Sequence, residues 1–484
     1  MSLYSRESKD VDADDQSAPA AAGSSGLQAG LKNRHLSMIA IGGVIGAGLF
    51  VGSSSGIAAA GPAILLSYVL VGTLVVMVMR MLGEMAAARP SSGSFSEYAD
   101  QALGRWAGFT IGWLYWFFWV VVLAVEATAG ASILHSWIPA VPQWGWALIV
   151  MVVLTALNLV SVASYGEFEF WFAGIKVVAI TGFVVLGLLA VFGILPGSKN
   201  PGAGLAHLTD AGGFAPHGWG AVLTGVLMVV FSFMGSEIVT LAAGESDDPR
   251  RAVTKATNSV IWRIGIFYLG SIFVVLTLLP WNDASIVERG SYVAALESIG
   301  IPYAGGIMDF IVLTAVLSCL NSGLYTASRM VFSLGRRGDA PRSFARTTAR
   351  GVPRNAILGS VAFGFLAVWF NYQWPESVFD FLLNSSGAVA LFVWLVICCT
   401  QLRMRRIVER ETGGEMAIRM WAFPYLTWAT ILMILFVVGY MAFDEAGREQ
   451  VGLSVVAALV ILCVGLLRDR ARTRADRPRA DRRS

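Results

Sequence analysis

The sequence predicts an all-α integral membrane protein of about twelve transmembrane helices. Three observations carry that prediction. The 484 residues are 56% hydrophobic and only 14% charged, with a mean hydropathy of +0.66, too apolar for a soluble chain of this length. Apolar stretches of about 20 residues, enough to cross a bilayer as helix, recur along the whole chain. Lys and Arg gather in alternate loops between them, the signature of a fixed orientation.

The stretches fall at 36–58, 62–83, 106–135, 145–164, 169–194, 219–242, 259–280, 304–328, 356–371, 378–400, 422–443 and 450–467. Residues 1–30 are rich in Ala, Ser, Gly and Asp with no apolar run, and read as a disordered tail with no signal peptide. The first span, "IGGVIGAGLFVGSS", is crowded with glycine. The second ends near Arg80, which lies close enough to the boundary to snorkel, as does Arg263 in the seventh. The third opens on the aromatic run "IGWLYWFFW", an interfacial belt and packing face, and carries Glu126. "SYGEFEF" reads as the loop into the fifth span, which carries Lys176. The sixth holds "FSFMGSEIVT", with Glu237 at mid-depth. In the eighth, Asn321 and Ser322 either line a cavity or join neighbouring helices by hydrogen bonds. Cys319, Cys398, Cys399 and Cys463 have no metal-ligand spacing and read as small buried groups without disulfides.

Basic residues precede the first span (Lys32, Arg34) and follow the second (Arg89, Arg105), sixth (Arg250, Arg251, Lys255), eighth (Arg336 to Arg354), tenth (Arg403, Arg405, Arg406) and twelfth (Arg468 to Arg483). In a twelve-span chain all these loops share one side, which places both termini in the cytoplasm. The net charge of +3 is then a topology signal, and contact with anionic lipid accounts for the basic tail without any nucleic acid.

Glycine holds a helix poorly, yet a membrane segment must satisfy its own backbone. Gly42 and Gly46 have the spacing of close helix packing. The sixth span, however, is interrupted as well, at Gly235 and Ser236. The two spans start five apart and therefore run in opposite directions, which suggests an inverted repeat of spans 1–5 and 6–10 with two helices added. Paired interrupted spans at corresponding positions point to a substrate site at mid-membrane, where freed N–H and C=O groups become ligand partners. Helix ends attract an anion at the amide side and a cation at the carbonyl side, so a small zwitterion suits both.

Each charge at membrane depth costs at least about 2.5 kcal/mol and needs a reason. Glu237 meets a substrate amine, exchanges a proton as the site opens and closes, or caps the second half-helix. Lys176 is a proton carrier, a donor to the loose carbonyls of the first span, or half of a static ion pair with Glu126 or Glu237. Glu126 is open between functional and structural roles.

The motifs "GGVIGAGLF", "GRWAGFTIGWLYWFFWVVVLAVEA", "YGEFEFWFAGIKVVAI", "SFMGSEIV", "ATNSVIWRI", "CLNSGLYTASRM" and "SLGRRGDAP" resemble the amino acid transporter family of the amino acid/polyamine/organocation superfamily, most closely its bacterial gamma-aminobutyrate permeases. The resemblance runs from about Leu31 to about Leu467. It implies a leucine-transporter-type five-plus-five inverted repeat with two extra C-terminal helices. The permease domain then spans 31–467, with a first repeat over 36–194, a second over 219–400, the added helices over 422–467 and a basic tail over 468–484. It also implies proton-coupled uptake of an amino acid across a bacterial inner membrane. By similarity, the backbone of Ile45, Gly46, Ala47 and Gly48 holds the substrate carboxylate. Phe231, Ser232 and Gly235 supply an aromatic gate and carbonyls, and Glu237 lies near the amine. Lys176 matches the fifth-span lysine that stands where sodium-coupled members of the fold place an ion, which implies proton coupling. Ala47 departs from relatives that carry Thr there, so a hydroxyl contact is missing.

The expected activity is therefore import of gamma-aminobutyrate or a closely related amino acid with a proton, by alternating access around a central site. Alternatives are a permease or exchanger for proline, an aromatic amino acid or beta-alanine, or a membrane amino acid sensor that does not transport. No phosphate-binding loop, metal cluster or nucleophile/base pair is evident, so no cofactor beyond the coupling proton and no enzyme chemistry is expected. The partners expected are a small amino acid and membrane lipids. Oligomeric state is not readable.

Overall fold

In the computed structural model of the protein, the described residues are Leu27, 30–195, 204–373, 378–413, 415–443 and 445–480. Almost all of the expected N-terminal tail thus lies outside them, as do the last four residues. Among the described residues there is no strand, only an isolated bridge between Leu31 and Ser246.

Every predicted stretch coincides with helix. The first span is α1 (Asn33–Gly42), α2 (Ala47–Phe50) and α3 (Gly52–Ala60), and the second is α4 (Ile64–Ala88). A short connecting helix, α5 (Ser94–Leu103), leads to α6 (Arg105–Trp137), α7 (Gln143–Val160) and α8 (Val162–Val191), the third to fifth spans. The sixth is α9 (Ala221–Phe233) and α10 (Ile238–Ala242). The seventh is α11 (Pro249–Arg263), a π-helical turn over Ile264–Gly270, and α12 (Ser271–Leu278). After α13 (Ala284–Glu288) and α14 (Ser291–Ser298) come α15 (Ala304–Arg336), α16 (Arg354–Gln373), α17 (Val378–Thr412), α18 (Tyr425–Phe443) and α19 (Glu445–Ala480), the eighth to twelfth spans.

Ten helical stretches among the described residues are long and apolar enough to cross a membrane. The first span is not among them because it is broken, and the apolar part of the ninth, Arg354–Leu366, is short. A multi-pass membrane protein follows, and its outer surface agrees. Trp171, Val178, Trp262, Leu432 and Phe436 are more than 60% exposed, large apolar groups that water would disfavour and lipid accepts.

One boundary differs from the sequence reading. "SYGEFEF" belongs to α8, because the Ser161 hydroxyl caps that helix by accepting the Ser164 amide at 3.0 Å. Both acidic residues therefore sit on helix: Glu167 at the surface with Arg34 and His35, Glu169 fully buried. Long, buried α6 is the central post, packing against α5, α7, α15, α17 and α19. The interruptions in the first and sixth spans face one another beside it.

Candidate substrate site

In the first break the chain leaves α1 at Gly43, becomes extended at Gly46 and re-enters helix at Ala47. In the sixth span α9 stops at Phe233, Met234 is extended and Gly235 takes φ +102°, a conformation that only glycine adopts without strain. Gly48 lies against Phe231 and the Ser232 backbone, so the breaks are in direct contact.

Buried side chains from other spans satisfy the loosened backbone. The Glu126 carboxylate on α6 accepts the Ala47 amide, at 3.3 Å to Oε1 and 3.4 Å to Oε2. Lys176 Nζ on α8 donates to the Gly42 carbonyl, to the Ile45 carbonyl at 3.0 Å and to Ser318 Oγ on α15 at 2.8 Å. The Tyr268 hydroxyl, projected from the π-helical turn, donates to the Ser232 carbonyl at 2.9 Å and lies 3.4 Å from that of Val44. It ties the two breaks together, in keeping with the frequent placement of π turns at functional sites.

The Lys176 contacts continue inward. Ser318 Oγ donates to Glu169 Oε1 at 2.7 Å, so a hydroxyl bridges ammonium and carboxylate. Glu126 and Glu237 make no ion pair with Lys176 among the described residues. The loose-carbonyl reading of Lys176 is the one the geometry displays.

A cavity of about 10 Å³, room for about one water, lies between the breaks. Val44, Gly46, Glu126, Phe231, Met234 and Cys319 line it, with Phe118, Trp119 and Val122 of α6. A Cβ on Gly46 would lie 2.6 Å from Glu126 Oε1 and 2.9 Å from Cys319 Sγ, which is why this position carries no side chain. The cavity is small, and the carboxyl group that meets the Ala47 amide beside it is the protein's own.

The sequence-predicted residues thus divide. Ile45, Gly46, Ala47, Gly48, Glu126, Lys176, Phe231, Ser232 and Gly235 come together. Glu237 does not line the cavity: its Oε1 accepts the Gly235 amide at 3.2 Å, and its buried Oε2 is without a hydrogen bond. Asn321 and Ser322 join helices, to Asn158 at 2.7 Å and Tyr165 at 3.3 Å. Arg80 reaches the surface, but Arg263 is buried, 6% exposed, with Nε and Nη2 unpaired. Tyr268, Ser318 and Glu169 escaped the sequence reading. The first two carry common hydroxyls with no periodicity to mark them, and the third hid in a supposed loop.

Toward the basic end, Arg329 on α15 pairs with Glu245 at 2.8 Å, the two side chains 2% and 0% exposed. Tyr325 donates to the same carboxylate at 2.9 Å, and the Glu245 carbonyl accepts the amides of Gly30 and Leu31. Arg329 lies inside the quoted motif "CLNSGLYTASRM" but one residue past the predicted eighth stretch, so depth did not mark it in the sequence.

The amino acid permease family model matches residues 35–476. The chain belongs to that family. Among similar proteins, a probable GABA permease of Pseudomonas aeruginosa is 56% identical over 93% of this chain and 94% of its own length. A gamma-aminobutyric acid permease of Bacillus subtilis is 53% identical over 92% and 95%, and one of Escherichia coli is 54% identical over 90% and 93%. This permease therefore handles an amino acid.

Proposed function

We propose that this permease imports gamma-aminobutyrate, or a closely related amino acid, together with a proton by alternating access across a bacterial inner membrane, with both termini in the cytoplasm. The names carried by relatives at 53–56% identity support the substrate. The observation that carries the mechanism is the Glu126 carboxylate seated on the Ala47 amide.

A substrate carboxylate needs the amides at this break. Two carboxylates cannot share one such site while both are charged, since like charges at contact disfavour ionisation. Substrate entry therefore goes with protonation of Glu126, which links one proton to one zwitterionic substrate. On the opposite face, Lys176 holds the carbonyls at the end of α1. Loss of its proton through Ser318 toward Glu169 weakens that hold and frees α1 to move. Phe231 closes over the cavity, and the Glu245–Arg329 cluster must part for release at the basic end.

A zwitterion with one proton carries net charge +1, so 100 mV supplies about 2.3 kcal/mol, roughly fifty-fold accumulation. The test is uptake of labelled gamma-aminobutyrate by proteoliposomes under an imposed proton gradient, competed with a panel of amino acids. Uptake that collapses with a protonophore and yields only to close analogues is expected. Uptake driven by sodium, or only against internal amino acid, would overturn the proposal.

A further inference from the structure

Away from the site, α1 and α11 border a surface cleft of about 380 Å³. Arg251 and Lys255 line it with the hydroxyls of Ser37 and Ser259 and the apolar Leu36 and Ile41. Arg34 also borders it but is committed to Glu167 and to the face of Phe170. Lys255 spans the cleft to Ser37 Oγ at 3.2 Å. The Arg251 guanidinium is exposed and makes no hydrogen bond or ion pair among the described residues, its backbone amide being capped by Asp248. No carboxylate lines the cleft among those residues.

This is a cationic pocket whose lining also includes apolar side chains, placed where α11 passes from charged residues to the exposed apolar Ile261 and Trp262. A free anion would use the cations and leave the apolar lining unused. An amphiphile uses both, and basic pockets between helix ends at the cytoplasmic face bind anionic lipid headgroups. We infer that the cleft between α1 and α11 is a binding site for the headgroup of an anionic phospholipid. One wall is α1, whose far end Lys176 holds by the Gly42 carbonyl. A lipid bridging α1 to α11 therefore favours the state in which α1 is packed. Binding itself needs only a membrane with this end at an anionic leaflet, so it stands apart from the substrate reading.

The test titrates the purified full-length protein in detergent with phosphatidylglycerol or phosphatidylcholine and counts bound lipid by native mass spectrometry. The wild type should retain one phosphatidylglycerol in preference to phosphatidylcholine. Arg251→Gln with Lys255→Gln should weaken it roughly tenfold or more, while the exposed loop pair Arg346→Gln with Arg350→Gln should leave it unchanged. The charge-preserving exchange Arg251→Lys with Lys255→Arg should retain it at an unaltered melting temperature. Equal binding by the double Gln variant, equal loss in the loop pair, or loss in the charge-preserving exchange would overturn the site. Displacement by inorganic phosphate at similar concentration would overturn the lipid as its occupant.

Discussion

Glu126 and Ala47, on the third and first spans, meet through a carboxylate oxygen 3.3 Å from a backbone amide that begins a helix after a break. The contact satisfies a donor that no helix can, and in the proposed mechanism the substrate carboxylate takes its place. Glu126→Gln keeps the volume and an acceptor oxygen but removes the titration. Uptake by this variant should lose its dependence on the proton gradient, while exchange of labelled substrate at equal concentrations persists. A pH profile of uptake that matches the wild type would rule out this coupling role.

Lys176→Met removes the donor to the carbonyls of Gly42 and Ile45 and to Ser318. Each buried acceptor left unpaired costs about 1–3 kcal/mol, so the break in the first span loosens. Concentrative uptake should fall at least tenfold, with substrate affinity, measured by isothermal titration in detergent, falling less. Full pH-gradient dependence in the variant would count against the assignment.

Gly46→Val places a branched side chain where even a Cβ meets Glu126 and Cys319. Uptake should be abolished with membrane insertion retained, as read by surface labelling and size-exclusion chromatography. Wild-type substrate affinity would mean that the glycine serves packing alone.

Arg329→Ala leaves Glu245 as an unpaired buried charge, and breaking such a pair costs about 3–5 kcal/mol. The melting temperature of the purified protein should drop, and Arg329→Ala with Glu245→Ala should recover much of the loss. A double variant no better than the single one would show that the pairing is not what holds this end closed.

Glu237 accepts the amide of Gly235 inside the break of the sixth span. Glu237→Ala should destabilise the protein by about 1–3 kcal/mol, the cost of leaving a buried donor unsatisfied, and Glu237→Gln should restore most of it because the amide oxygen still accepts. Lost uptake in a fully stable Gln variant would instead assign Glu237 to proton transfer.

The sequence by itself determined the membrane class, the run of apolar helices and the location of both breaks. Hydropathy over 20 residues and glycine inside apolar runs are local properties that survive without knowledge of neighbours. It also exposed Glu126, Lys176 and Glu237, because a charge at membrane depth stands out wherever its partner lies. Partners were decided only by tertiary structure. Glu126 rather than Glu237 meets the first break, Lys176 takes carbonyls and Ser318 rather than a carboxylate, and Tyr268 joins the two breaks. These pairings depend on how separate helices are rotated and how deep they sit against one another. A one-residue shift such as the π-helical turn that carries Tyr268, or the earlier start of α8 that puts Glu169 on helix, changes which side chain faces a break.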